Sequence, residues 1–181
     1  MATTSTLVLP VPYEAQLDNA SSSGWRECFS SSSAMVARFW NRTKSDDAYN
    51  VVRRRFGDTT DPLAQLAALR ALGLDCSFRT DGTAATLETE IKARRPVAVG
   101  WLHRGPVSAP TGGGHWSVVV GMDPRRWLIH DPYGEPDLIG GGHLPDTSGR
   151  GVWVNRSNFG ARWRPGGSGG WCVTCRGPVP F

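Results

Sequence analysis

Apolar residues in the first half of the chain recur at the three- to four-residue spacing of amphipathic α-helices. A first helix is predicted at 27–40, with an apolar face of Ala34, Met35, Val36, Phe39 and Trp40. Three more helices are predicted at 46–57, 61–73 and 83–94. Ser45 is a suitable N-cap for the second, and Pro62 suits the first turn of the third. The first helix places Cys28 in its first turn.

The later part of the chain changes to short apolar runs bounded by Gly, Pro and Asp, which is typical of β-strands. Strands are predicted at 74–79, 96–102, 115–122, 126–130, 151–154 and 171–175. Helices that mostly precede the strands favour an α+β fold, with N-terminal helices packed on a mainly antiparallel sheet. We expect a single domain over 1–181, in which 155–181 is interpreted as a terminal strand and loop extension.

Composition narrows the classes of protein that fit. With 181 residues and 39% hydrophobic content, the chain can bury one sizeable core. It has no apolar run near the roughly 18 residues that cross a bilayer, and its start, MATTSTLVLPVP, lacks a basic segment, so neither membrane insertion nor a signal peptide is expected. The net charge is +4. We interpret the basic run Arg53, Arg54 and Arg55 as a solvated helix face. A nucleic-acid-binding surface would interleave aromatic with basic residues, and the sequence shows no such pattern.

The four cysteines, Cys28, Cys76, Cys172 and Cys175, are too sparse to resemble a disulfide framework. Cys172 and Cys175 form a CxxC, but no second pair completes the four ligands of a structural zinc site. We therefore interpret WCVTC as part of a terminal strand.

The position of Cys28 is that of a reactive thiol, because unpaired N–H groups and the dipole at a helix start favour the thiolate. His115 opens a predicted strand after three glycines, and Asp131 directly follows the next strand. If the two strands form a hairpin through MDPRR, both side chains lie at one end of the sheet. The carboxylate could then orient the imidazole towards Cys28.

Four sequence blocks, VPYEAQLDN, CFSSSSAMVARFW, GGHWSVVVGMD and IHDPYG, resemble papain-like cysteine peptidases. The resemblance is to the branch of bacteriocin leader-processing peptidases, and the sequence pattern of these blocks is also similar to that of small phage-encoded, endolysin-like members. It implies Cys28 as nucleophile, His115 as general base and acid, Asp131 as the orienting residue and Gln16 as an oxyanion-hole donor. The chain departs from the family pattern at Phe29, which follows the cysteine and could narrow the cleft, and in the extra residues between Gln16 and Cys28.

Trp25, Trp101, Trp116 and Gly114 are expected near the substrate cleft. This interpretation needs no cofactor and no metal. An alternative is a zinc-dependent amidase whose ligands come from His103, His115, His130, His143 and Asp131.

The expected function is a cysteine-dependent hydrolase of peptide or amide bonds in bacterial peptidoglycan, as a phage endolysin or virion-associated lysin. The alternatives are a protein-processing protease for virion maturation or leader removal, an acyltransferase, and a binding module that retained the fold. We expect a monomer made in the host cytoplasm that reaches the cell wall after release, with peptidoglycan or a peptide as its partner.

Overall fold

The computed structural model describes residues 6–179. Its helices are α1 (Cys28–Phe39), α2 (Asp46–Arg53), α3 (Pro62–Ala71), α4 (Ala84–Lys92) and α5 (Arg156–Trp163). Its strands are β1 (Leu7–Val8), β2 (Leu74–Gly82), β3 (Val97–Trp101), β4 (His115–Met122), β5 (Arg126–His130), β6 (Val152–Asn155) and β7 (Gly170–Pro178). The α+β prediction is confirmed, and each predicted helix and strand is present with small differences at its ends.

The described strands form one antiparallel sheet in the order β2-β7-β3-β4-β5-β6. The short β1 pairs with the far end of β4, where Leu7 lies opposite Met122. The last strand in sequence, β7, lies between β2 and β3, so the C-terminal segment is an interior part of the sheet.

Local sequence explains where the predicted helices begin. The Ser45 side chain accepts a hydrogen bond from the backbone N–H of Ala48, which confirms the predicted cap of α2. Asp61 caps α3 in the same way, and Pro62 occupies its first turn. Helix α5 was not predicted. It is capped by Asn155, and its buried Phe159 and Trp163 lie one helical turn apart.

Helix α1 packs on β4 at the centre of the fold. Phe29 and Trp116 stack in parallel with ring centroids 3.5 Å apart, and both side chains are buried. Ser30 to Ser33 are also fully buried. Ser30 shares a hydrogen bond of 2.8 Å with Thr59, and Ser31 donates one of 2.8 Å to Asp46. The serine run is therefore a polar face of the core.

Two features differ from the sequence-based expectations. Cys76 and Cys175 form a disulfide that joins β2 to β7, because strand pairing brings two distant cysteines into register. Arg53 does not lie on a solvated face: it is buried and donates to Asn50 and to the carbonyl of Gly57.

No helix within residues 6–179 combines the length and apolar character needed to cross a membrane. The expectation about a signal peptide falls partly on residues 1–5, and the end of the expected C-terminal extension falls on 180–181. Both lie outside the described residues.

Candidate active site

Cys28 is the first residue of α1 and its side chain is half-buried. The loop before it is held by the buried carboxylate of Glu27, which accepts hydrogen bonds from Asn19 (2.7 Å) and Asn50 (2.9 Å). Ser21 and Ser23 donate to its other oxygen, at 2.9 and 3.0 Å. A buried charge with this many donors is well stabilised, and here it fixes the backbone directly before the thiol.

The β4–β5 hairpin brings His115 and Asp131 together at one end of the sheet, as the sequence predicted. His115 Nε2 lies 2.8 Å from Asp131 Oδ1 and 2.9 Å from Oδ2. The Asp131 carboxylate is fully buried and also accepts from Ser117 Oγ at 2.7 Å and from the backbone N–H of Tyr133 at 2.9 Å. Trp101 donates from Nε1 to Ser117 Oγ at 2.8 Å, which extends this network.

The backbone of Asp131 is held as firmly as its side chain. Its N–H donates to the carbonyl of Gly149 at 2.8 Å, and its carbonyl accepts from the hydroxyl of Tyr13 at 3.0 Å. A Cβ on Gly149 would lie 2.0 Å from the Asp131 carbonyl oxygen. Only glycine allows the two segments to approach this closely.

The thiol of Cys28 lies close enough to the His115 ring to raise the pKa of that ring. Since Nε2 of that ring faces Asp131, the nitrogen left for Cys28 is Nδ1. Burial lowers the pKa of His115, but the neighbouring Asp131 carboxylate, together with Cys28, outweighs this effect and raises the pKa to about 10. The arrangement therefore favours an imidazolium beside the Asp131 carboxylate.

Asp131 responds in the opposite direction. Burial by itself would raise the pKa of its carboxyl, yet the charge and hydrogen bond of His115 hold that pKa far below its ordinary value. Asp131 is therefore an anion throughout the neutral pH range.

Gln16 is buried in the 3-10 turn at Gln16–Asp18. Its amide nitrogen donates to the carbonyl of Gly24 at 2.9 Å, and its backbone N–H donates to the carbonyl of Pro132 at 2.8 Å. Within residues 6–179 its side-chain oxygen has no hydrogen-bond partner. The amide nitrogen carries a second hydrogen, which is the one that an oxyanion role would use.

The sequence did not single out His143 as a partner of the pair, but the structure places it beside Asp131. Its Nε2 lies 3.2 Å from Asp131 Oδ1, and its ring centroid lies 4.7 Å from that of His115. Tyr133 contacts the other side of this cluster, with its ring centroid 4.8 Å from that of His143. A single histidine in a glycine-rich loop has no periodicity, so the pattern of the chain offered no signal for this placement.

The other two histidines, His103 and His130, do not join His115, Asp131 and His143 as the zinc-amidase alternative had allowed. His130 is not in the cluster, because its Nε2 faces the Val11 carbonyl at 3.0 Å and its Nδ1 accepts from the Gly151 N–H at 3.0 Å. His103 lies near His115, with ring centroids 5.7 Å apart and an angle of 52° between the ring planes. Burial, reinforced by the charges of His115 and Arg104, lowers the pKa of His103 to about 4.

Three of the four expected cleft residues, Trp101, Trp116 and Gly114, line a cavity of about 330 Å³. His115 lies between Gly114 and Trp116 in the chain but does not itself line the cavity. Trp163 and Trp171 complete its aromatic walls. Trp25 does not line this cavity; it is 70% exposed on the loop before Cys28. The cavity is largely apolar, and it contains one charged side chain, Arg162, among the described residues that line it.

Arg162 is not available to pair with an acidic ligand. It is fully buried, and its guanidinium donates to the backbone carbonyls of Leu102, Arg104, Gly105 and Leu138. On the opposite wall, a Cβ on Gly100 would lie 2.8 Å from the Trp116 ring, so glycine makes room for that indole. Phe29 lies beneath Trp116 and does not line the cavity.

Comparison with known proteins agrees with this geometry. The family model of the papain-like cysteine protease AvrRpt2, Peptidase_C70, matches residues 6–138. A search among curated proteins finds no match.

Several solved structures share the fold. A putative C39-like peptidase from Bacillus anthracis has 17% identity and a TM-score of 0.65, with 98% of each chain covered. The peptidase domain of Streptococcus ComA, a bi-functional ABC transporter, has 17% identity and a TM-score of 0.58, covering 96% of this chain and 98% of that one. A double glycine motif protease from an AMS/PCAT transporter, in complex with the leader peptide, has 19% identity and a TM-score of 0.58, covering 97% and 99%.

Proposed function

The chain belongs to the papain-like cysteine protease family whose model it matches, and from this premise we propose that it hydrolyses peptide bonds with Cys28, His115 and Asp131. The observation that carries the proposal is the position of the His115 ring, which is bonded through Nε2 to a buried carboxylate and lies close enough to the Cys28 thiol for that group to raise its pKa. These are the roles of nucleophile, base and orienting group in thiol peptidases.

The proposed reaction begins with attack of the Cys28 thiolate on the carbonyl carbon of the substrate. The oxyanion accepts hydrogen bonds from the Cys28 backbone N–H and from the free amide hydrogen of Gln16. His115 gives its Nδ1 proton to the leaving amine, and the C–N bond breaks to form a thioester. His115 then takes a proton from water, which attacks the thioester and releases the acid and the thiol.

The cavity lined by Gly114 and Trp116, the two chain neighbours of His115, supports a polypeptide substrate with a large apolar side chain near the cleaved bond. Four indoles and several glycines line it, and its one lining charge is already bonded to backbone carbonyls. A charged side chain placed there would lose its hydration without gaining a partner. This favours a protease acting on a peptide or protein, such as one that matures a virion protein or removes a leader.

Peptidoglycan is a second candidate substrate, as a phage endolysin or virion-associated lysin would require. The net charge of +4 supports it, because a cationic protein is attracted to an anionic cell wall. In either case we propose that the protein acts as a monomer and needs no cofactor or nucleic acid.

The first test compares the wild type with Cys28→Ala and with Cys172→Ala as a matched control. Cys172 is also a free cysteine, but it is buried in β7, where burial raises the pKa of its thiol to about 12. We expect hydrolysis of a mixed peptide library by the wild type and Cys172→Ala, with loss of at least about a thousandfold in Cys28→Ala. Full activity of Cys28→Ala would refute the mechanism.

Both candidate substrates are assayed in parallel. Mass spectrometry of the peptide library reports whether large apolar residues are enriched near the cut, and turbidity of purified cell walls reports lysis. Cleavage of peptides with an apolar preference supports the protease. Clearing of cell walls without cleavage of peptides would contradict the protease proposal and support the lysin instead.

A further inference from the structure

We propose that His115, Asp131 and His143 form a Zn²⁺ site that inhibits the enzyme when it is occupied. One ligand atom from each residue lies within 4.8 Å of the other two. All three side chains are at least nine-tenths buried, with exposed fractions of 6%, 0% and 8%. Two imidazoles and a carboxylate are a common set of three protein ligands for zinc, and water usually completes the tetrahedron.

The strongest sign of a ligand site is the unsatisfied ring nitrogen of His143. Its Nε2 points at Asp131 Oδ1 from 3.2 Å but lacks the alignment of a hydrogen bond, and no other described residue pairs with it. A buried polar atom without a partner costs free energy and calls for an explanation. In the tautomer that carries its proton on Nδ1, the lone pair of Nε2 can bind a metal that also contacts the carboxylate.

The distances to Asp131 are close to those that zinc needs, and the two histidine nitrogens, which lie within 4.8 Å of each other, would have to adjust to the ion. Zn–N and Zn–O bonds of about 2.0–2.2 Å in a tetrahedron place neighbouring ligand atoms about 3.4 Å apart. The separation between His143 Nε2 and Asp131 is already 3.2 Å. His115 Nε2 lies 2.8 Å from the same carboxylate and would have to withdraw by about 0.6 Å to admit the ion.

The consequence for activity rests on the proposed function. Zn²⁺ takes the lone pair of His115 Nε2, and the proton bound there is released to solvent. The ring keeps its Nδ1 proton, because losing that proton as well would create an imidazolate. His115 could then no longer alternate between acid and base, and Asp131 would bind the metal ion and no longer orient the imidazole ring.

The decisive experiment measures zinc binding without activity. We would titrate the Cys28→Ala protein with ZnCl₂ by isothermal titration calorimetry. The substitution ensures that the nucleophilic thiol cannot supply a ligand, and reductant is omitted because thiol reagents bind zinc. One ion per chain is expected. Adding His143→Ala should weaken the affinity at least about tenfold, because one of three protein ligands is lost. Adding His103→Ala, which removes a nearby histidine outside the cluster, should change it less than about twofold.

An absence of zinc binding to Cys28→Ala, or equal binding with and without His143, would overturn the site. With the wild type, zinc should block peptide hydrolysis reversibly on addition of a chelator, and His143→Ala should move the inhibitory concentration upward at least about tenfold. Binding without inhibition would overturn the inhibitory role. If the wild type has no activity at all, the proposed function fails while the calorimetric test of the site still stands.

Discussion

At the scale of single residues, the proposed mechanism separates the proton-carrying role of His115 from the orienting role of Asp131. We predict that His115→Ala lowers kcat by about a thousandfold, within the range for loss of general acid–base catalysis. Asp131→Asn should cost less, because the base remains, although its orientation and its favourable charge are lost. Steady-state kinetics on a cleaved peptide measure both, with Asp123→Asn in the β4–β5 turn as the matched control. A greater loss in Asp131→Asn would reverse the two assignments.

The charges of this pair also predict how stability depends on pH. The pKa of His115 is raised to about 10, above the ordinary value of about 6.5 expected in the unfolded chain. The folded state therefore holds its proton more tightly, and this stabilisation is complete below about pH 6.5 and is lost as the pH rises through about 10.

We accordingly expect the free energy of unfolding of the wild type to fall between about pH 7 and 10 more steeply than that of His115→Gln. Urea denaturation at several pH values provides the measurement. Equal slopes for the two proteins would show that His115 does not hold its proton in the folded state.

At the scale of secondary-structure elements, the disulfide makes a prediction about β2 and β7. It links residues 99 positions apart and joins an edge strand to the interior of the sheet. Closing a loop of this length restricts the unfolded chain, so reduction should lower the free energy of unfolding by about 2–5 kcal/mol. Thermal unfolding with and without dithiothreitol measures the effect.

The control for that experiment is the double variant Cys76→Ser with Cys175→Ser, whose melting temperature should not respond to dithiothreitol. Cys172 cannot take part easily, since it lies three residues from Cys175 along the same strand and successive side chains alternate between faces. If the wild type melts at the same temperature in both conditions, the disulfide contributes nothing to stability.

The elements also explain what could be read from the sequence. Helices α1 to α4 have apolar periodicity and local caps, and the β4–β5 hairpin has a clear turn, so the meeting of His115 with Asp131 was predictable. Helix α5 lacks that clarity, because it contains Gly160 and two arginines within eight residues. The disulfide and the approach of His143 to Asp131 depend on contacts between distant segments, which local patterns do not encode.

At the scale of the whole molecule, both ends of the described chain enter one sheet: β1 pairs with β4, and β7 lies between β2 and β3. A single domain over 1–181 remains our prediction, and this topology supports it. It also implies that 155–181 contributes to the core through Phe159, Trp163 and Val173, all of which are buried. If the protein binds cell walls, this segment could contribute only through its exposed residues, among them Trp171.

The net charge of +4 provides a test between the two candidate substrates. Attraction to an anionic wall acts over a Debye length of about 10 Å at 0.1 M salt and weakens as salt is added. If the protein is a lysin, the rate of wall clearing should fall severalfold between about 50 and 300 mM NaCl, whereas cleavage of a short neutral peptide should change by less than about twofold. Replacing the exposed Arg54 and Arg55 by glutamine should slow clearing at low salt and leave peptide cleavage intact. If the rate of wall clearing changes neither with salt nor with these substitutions, the cationic surface does not recruit the enzyme to the wall. The proposal that peptidoglycan is the substrate would then lose its main physical support.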